Sequence, residues 1–164
     1  MKAYLANGLF SAGDRLLNEL LAEKVRKAVK DIDLYVPQEN AAINDKNSYA
    51  NSVTIAKADM DKLKESDFLI AVIDGVEIDS GVAAEIGAFY MLNRPIFSLY
   101  TDVRQQGRHN DKKIQALIDD GTENQFMYRN LFVVGLIKQT DGGIYSSIEE
   151  VVEAVKNYTK NSSK

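Results

Sequence analysis

Apolar positions along the chain alternate between short continuous runs and longer stretches with helical spacing. Lys2 to Ala6 reads as a buried strand that ends at Asn7-Gly8, a pair suited to a tight turn. From Ser11 to Lys30 the residues Leu16, Leu17, Leu20, Leu21, Val25 and Val29 recur at helical spacing, with Arg15, Glu19, Glu23 and Lys27 outward. Ile32 to Val36 is a second strand, stopped by Pro37, and the polar stretch Gln38 to Tyr49 has no period and reads as a loop bordering a cleft. A helix over about Asn51 to Glu65 follows, and then Phe68 to Ile73, whose unbroken apolar character marks a central strand covered on both faces. Next come a helix over about Gly81 to Asn93 and a fourth strand over Pro95 to Tyr100. Thr101 to Gln125 is polar, with helical turns around Lys113 to Ile118, and Asn130 to Ile137 fits either strand or helix. After the Gly142-Gly143 break, Ile144-Tyr145 is a short edge strand. Ser147 to Tyr158 is the last helix, opened by a Ser147 and Glu150 capping box.

Strands alternating with helices predict a parallel sheet with helices on both faces, and five strands fit an α/β, flavodoxin-like doubly wound arrangement. One domain spans residues 1–160, with 161–164 a disordered tail. In such sheets ligands bind beyond the carboxyl ends of the strands, near the switch in strand order. Asn7, Gln38, Asp74 and Asp102 each follow a strand and are expected on that rim, as are Asp79 and Glu85 in the segment leaving the third strand.

Composition narrows the chemistry. A net charge of −4 and a pI near 5.1 give no electrostatic footprint for a nucleic-acid polymer or an acidic membrane surface. Cysteine is absent, which excludes disulfides, thiolate catalysis and cysteine-based zinc sites. The N-terminal apolar run is too short for a signal peptide and no segment reaches the length of a membrane span, so a cytoplasmic protein is expected. Neither GxGxxG nor GxxxxGK[ST] occurs. No histidine pair exists to hold a metal, and His109, the single histidine, sits in a polar stretch as an exposed loop residue. What remains is carboxylate chemistry.

Two carboxylates interrupt apolar helix faces. Glu85 falls between Phe89 and Leu92, with Val82, Ile86 and Tyr90 on an adjacent face, about a turn inside a helix whose N-cap is Asp79 or Ser80. The helix dipole favours its ionised form and burial opposes it, a setting for a nucleophile or for a structural glutamate paired to a basic residue. Asp59 shares a stripe with Ile55 and Leu63, and is either catalytic or a structural aspartate paired to a base such as Lys57.

Tyr4-Leu5-Ala6 on the first strand, Asp59 eight residues before Asp67, the run Asp79-Ser80-Gly81-Val82-Ala83-Ala84-Glu85-Ile86-Gly87 and the pair Asn130-Leu131 together resemble the nucleoside 2-deoxyribosyltransferase family. The resemblance implies Glu85 as nucleophile, with Asp59 and Asp79 in the same pocket and one of them protonating the departing base. It also implies that Tyr4 holds the glutamate, that Asn7 and Phe10 border the substrate, and that Asn130 reaches in from a neighbouring subunit of a homo-oligomer. The implied partners are a 2′-deoxynucleoside and a nucleobase, with no metal or organic cofactor. The rivals that the residues leave open are hydrolysis of 2′-deoxynucleosides or their 5′-monophosphates, where Ser11 and Arg15 could hold a phosphate, and a non-catalytic nucleotide-binding module. The turn Asn7-Gly8-Leu9-Phe10 departs from the Gly-Pro turn of many family members, so the wall against the base is expected to differ.

Overall fold

The computed structural model describes residues 1–41 and 49–162. Its core is a five-stranded, all-parallel sheet in the order β2-β1-β3-β4-β5. The strands are β1 (Lys2–Ala6), β2 (Asp33–Tyr35), β3 (Phe68–Val72), β4 (Ile96–Leu99) and β5 (Gly143–Tyr145). The helices are α1 (Ala12–Ala28), α2 (Ser52–Glu65), α3 (Ser80–Tyr90), α4 (Asp111–Asp119), α5 (Leu131–Lys138) and α6 (Ile148–Ser162). This is the doubly wound arrangement expected from the alternation of runs. The ambiguous Asn130 to Ile137 stretch resolves as helix, with Asn130 as its N-cap. The part of the Gln38 to Tyr49 loop over 42–48 lies outside the described residues, and so do 163–164.

Side-chain alternation along the strands sorts the core into two layers. Ala3 and Leu5 of β1, with Phe68, Ile70 and Val72, pack against α1 and α6 through Leu21, Val25, Val151 and Val155. Tyr4 and Ala6, with Leu69 and Ala71, face the other way, toward Leu63 of α2, Val82, Ile86 and Phe89 of α3, and Val133 and Ile137 of α5. Tyr4 therefore belongs to the layer that holds both carboxylate-bearing helices. The edge strand β5 reaches β4 only because residue 142 is glycine: a Cβ there would fall 2.0 Å from the Ile96 carbonyl oxygen.

Three expectations need correction. Leu16 and Leu20 are 66% and 42% exposed, and the buried stripe of α1 is Asn18, Leu21, Ala22 and Val25, rotated because Asn18 is drawn inward by the hydrogen bonds described below. The Ser147 and Glu150 pair makes half a capping box: Ser147 Oγ accepts from Glu150 N, but the Glu150 carboxylate takes the Ser146 amide and hydroxyl instead. Helix α6 continues through Ser162, two residues into the stretch expected to fray. No helix among the described residues is long and apolar enough to cross a membrane.

Candidate active site

Glu85 projects from the second turn of α3, and the hydroxyl of Tyr4 donates to its Oε1 at 2.5 Å. Tyr4 itself is fully buried on β1. Burial is the main reason that the Glu85 carboxyl is pushed up to about 7; the Tyr4 hydrogen bond pulls it down, and the charges of Asp59 and Asp79 push it up again. The same burial, together with the Glu85 charge, raises the Tyr4 hydroxyl far above its usual range, so Tyr4 is a permanent proton donor at neutral pH. No basic side chain pairs with Glu85 among the described residues.

Asp59 arrives from α2, half-buried and beside the same tyrosine. Burial raises its carboxyl, while hydrogen bonding from Tyr35 and Tyr4 counteracts that. Lys57 is not its partner and pairs instead with Asp61. Tyr35, at the end of β2, stacks obliquely on Tyr4 with ring centroids 5.2 Å apart and accepts from Asn40 Nδ2 at 2.9 Å. With its own oxygen accepting from Asn40, Tyr35 directs its proton toward Asp59.

Asp79 is the N-cap of α3: its Oδ1 accepts from the amides of Gly81 and Val82, at 2.8 and 3.0 Å. The loop that delivers it is pinned at two points. Asp74 accepts from the amide and hydroxyl of Thr101, and the buried Arg129 guanidinium donates to the Gly75 carbonyl at 2.7 Å while lying over the Tyr100 ring. Arg129 has no signature in the sequence; Tyr35 could have been found from its phase, since alternation from the buried Leu34 turns it to the face that Tyr4 shares.

On the opposite flank of β1, Asn7 donates to the buried Asn18, which in turn donates to the Gly8 carbonyl and to Gln38 Oε1. A polar residue at a buried helical position, in phase with Leu21 and Val25, was the signal for Asn18. Phe10 is 84% exposed at the end of this turn. Asn130 caps α5 with its side-chain oxygen and borders a cavity of about 200 Å³ between Val76, Ile78, Ala83, Tyr128 and Val133. Tyr4, Asp59 and Glu85 are thus in one cluster, Asp79 begins the helix that carries Glu85, and Asn7, Phe10 and Asn130 stand on other segments. A larger hollow lined by Asp102, Arg108, His109 and Ser146 contains none of these residues.

A doubly wound α/β domain with two adjacent half-buried carboxylates bridged by a tyrosine has the parts of a glycosyl-transferring enzyme. Residues 3–144 match the family model for nucleoside 2-deoxyribosyltransferase, and the chain belongs to that family. A conserved protein from Enterococcus faecalis V583 shares 49% identity over 96% of this chain and 98% of its own, with a TM-score of 0.90. The 2-deoxyribosyltransferase from Bacillus psychrosaccharolyticus is 19% identical over 93% of this chain and 90% of its own, with a TM-score of 0.65. The enzyme from Leishmania mexicana is 20% identical over 96% and 97%, with a TM-score of 0.64, and both show the shared fold. No curated protein matches the chain.

Proposed function

We propose that the protein cleaves the N-glycosidic bond of 2′-deoxynucleosides through Glu85 and transfers the sugar to a second nucleobase. The observation that carries this reading is Glu85 itself: a carboxylate with no cationic partner among the described residues, oriented by a buried tyrosine beside a second carboxylate whose protonated form burial favours. Glu85 attacks C1′, the C1′–N bond breaks with its electron pair moving to the base, and Asp59 delivers a proton to a ring nitrogen. In the return step a nitrogen of the incoming base attacks C1′, the ester to Glu85 breaks, and the proton of that base goes to Asp59.

Tyr4 supports this division of labour. Its one hydroxyl proton goes to Glu85 and holds that carboxylate in place, while burial raises the Asp59 carboxyl toward its protonated form. Asp79 has its Oδ1 committed to two helix amides. It suits an acceptor for a sugar hydroxyl through Oδ2. Phe10, exposed at the end of the β1 turn, is assigned the role of covering the base. No step calls for a metal or an organic cofactor.

The nucleotide variant of the reaction is disfavoured by α1. Ser11, one of the two residues available to a phosphate, caps α1 and donates to Asp14 Oδ2 at 2.5 Å, so a carboxylate already sits at the anion-attracting end of that helix. A homo-oligomer with Asn130 contributing to a neighbour's site is supported by the exposed apolar side chains beside it: Val76, Tyr128, Leu131 and Phe132 are 69–82% exposed.

The test is chromatography of a 2′-deoxynucleoside incubated with the purified protein and an excess of a second base. A new deoxynucleoside formed in step with the released base is the expected result. Free deoxyribose without the new deoxynucleoside would make the protein a hydrolase, and no release from any deoxynucleoside would favour the binding module.

A further inference from the structure

The chain of amides behind the β1 turn has a fixed polarity. Gln38 Nε2 donates to the carbonyl of Arg15, which can only accept, so the Gln38 amide has one orientation and presents Oε1 to Asn18. Asn18 Nδ2 donates both to that oxygen and to the Gly8 carbonyl, a second group that can only accept. Asn18 Oδ1 must then accept, and it does, from Asn7 Nδ2 at 2.8 Å. Two backbone carbonyls thereby determine the orientation of three side-chain amides. Asn18 is 2% exposed, so reversing any one of them would set two oxygens or two amides against each other out of water.

The group left over is Asn7 Oδ1, half-buried and without a partner among the described residues. It lies at the carboxyl end of β1, which neighbours β3; β1 leads into α1 and β3 into α3, and these helices pack on opposite faces of the sheet, the crevice where such sheets bind ligands. Asn7 is three residues beyond Tyr4, or about 10 Å along an extended chain, a span that a base attached at C1′ covers in part while C1′ is at Glu85.

We propose that Asn7 is a specificity residue whose rigidly oriented carbonyl oxygen accepts a hydrogen bond from the exocyclic amino group of the base, selecting amino-bearing bases over their oxo counterparts. The assignment rests on the deoxynucleoside reading above. An amino group at that position completes the chain of donors and acceptors, whereas a carbonyl there sets oxygen against oxygen, and Asn7 cannot turn over to relieve it without breaking its bond to Asn18.

The experiment compares kcat/KM for 2′-deoxyadenosine against 2′-deoxyinosine, and 2′-deoxycytidine against 2′-deoxyuridine, in the wild type, Asn7→Ala and the isosteric Asn7→Asp. The wild type is expected to favour the amino member of a pair by about tenfold. Asn7→Ala should bring the ratio near one, and so should Asn7→Asp, whose second oxygen meets Asn18 Oδ1 and breaks the chain that orients the acceptor. A wild-type ratio near one, or uniform slowing in Asn7→Ala with the ratio intact, would overturn the assignment. Calorimetric binding of the same pairs to Glu85→Gln separates the two readings. Selective binding there, with no turnover by the wild type, upholds Asn7 and overturns the transferase; turnover without selectivity does the reverse.

Discussion

At the scale of single residues, everything turns on how two carboxyls divide their protons around Tyr4. In the proposed mechanism Glu85 is ionised when it attacks, and burial holds its carboxyl up at about 7, so kcat/KM should rise with pH through that region. The substitutions that move this limb have defined signs. Asp59→Asn removes a negative charge that pushes Glu85 up, so the limb should shift to lower pH even as base release slows. Tyr4→Phe removes the hydrogen bond that pulls Glu85 down, so the limb should shift to higher pH. Full pH profiles of both variants check this, and limbs that stay put in both would contradict the assignment of the ionisation to Glu85. Glu85 and Asp59 were legible in the sequence because each breaks an apolar helical stripe. Tyr35 and Asn18 carried a phase that turned them inward, but their roles come from partners distant in the chain.

At the scale of elements, α3 carries a conflict between stability and chemistry. Its N-cap is well made and its buried face is Val82, Ile86 and Phe89, yet Glu85 is desolvated there. A carboxyl raised from 4.5 in the unfolded chain to about 7 when folded favours the folded state while protonated. That contribution is complete below pH 4.5 and is lost as pH rises through about 7. Glu85→Gln should therefore be more stable than the wild type by about 3 kcal/mol at pH 8, with the difference vanishing near pH 4. Denaturant melts at the two pH values measure it, and equal differences at both would mean that the Glu85 carboxyl is not raised. Long periodic segments such as α2 and α6 were readable within a few residues. The short α5 was not, because a buried apolar run of its length satisfies strand and helix patterns alike.

At the scale of the whole molecule, the parallel sheet was legible from the alternation of strands and helices and from the unbroken apolar run of β3, and its topology brings the first strand and two separate helices to one place. Tyr4 comes from β1, Asp59 from α2 and Glu85 from α3, and only the doubly wound fold puts the three in contact. Sequence order alone could not show that Asn7 would turn to the α1 face while Tyr4 turned to the other, nor that Arg129 would return from before α5 to pin the loop ahead of Asp79. The fold thus gathers Tyr4, Asp59 and Glu85 from segments that are polar for unrelated local reasons. The most direct test of its central claim is mass spectrometry of the protein quenched during turnover of 2′-deoxyadenosine. A deoxyribosyl group on the peptide containing Glu85, absent from Glu85→Gln, is the predicted result. Turnover at a normal rate by Glu85→Gln, or an adduct on a different residue, would contradict it.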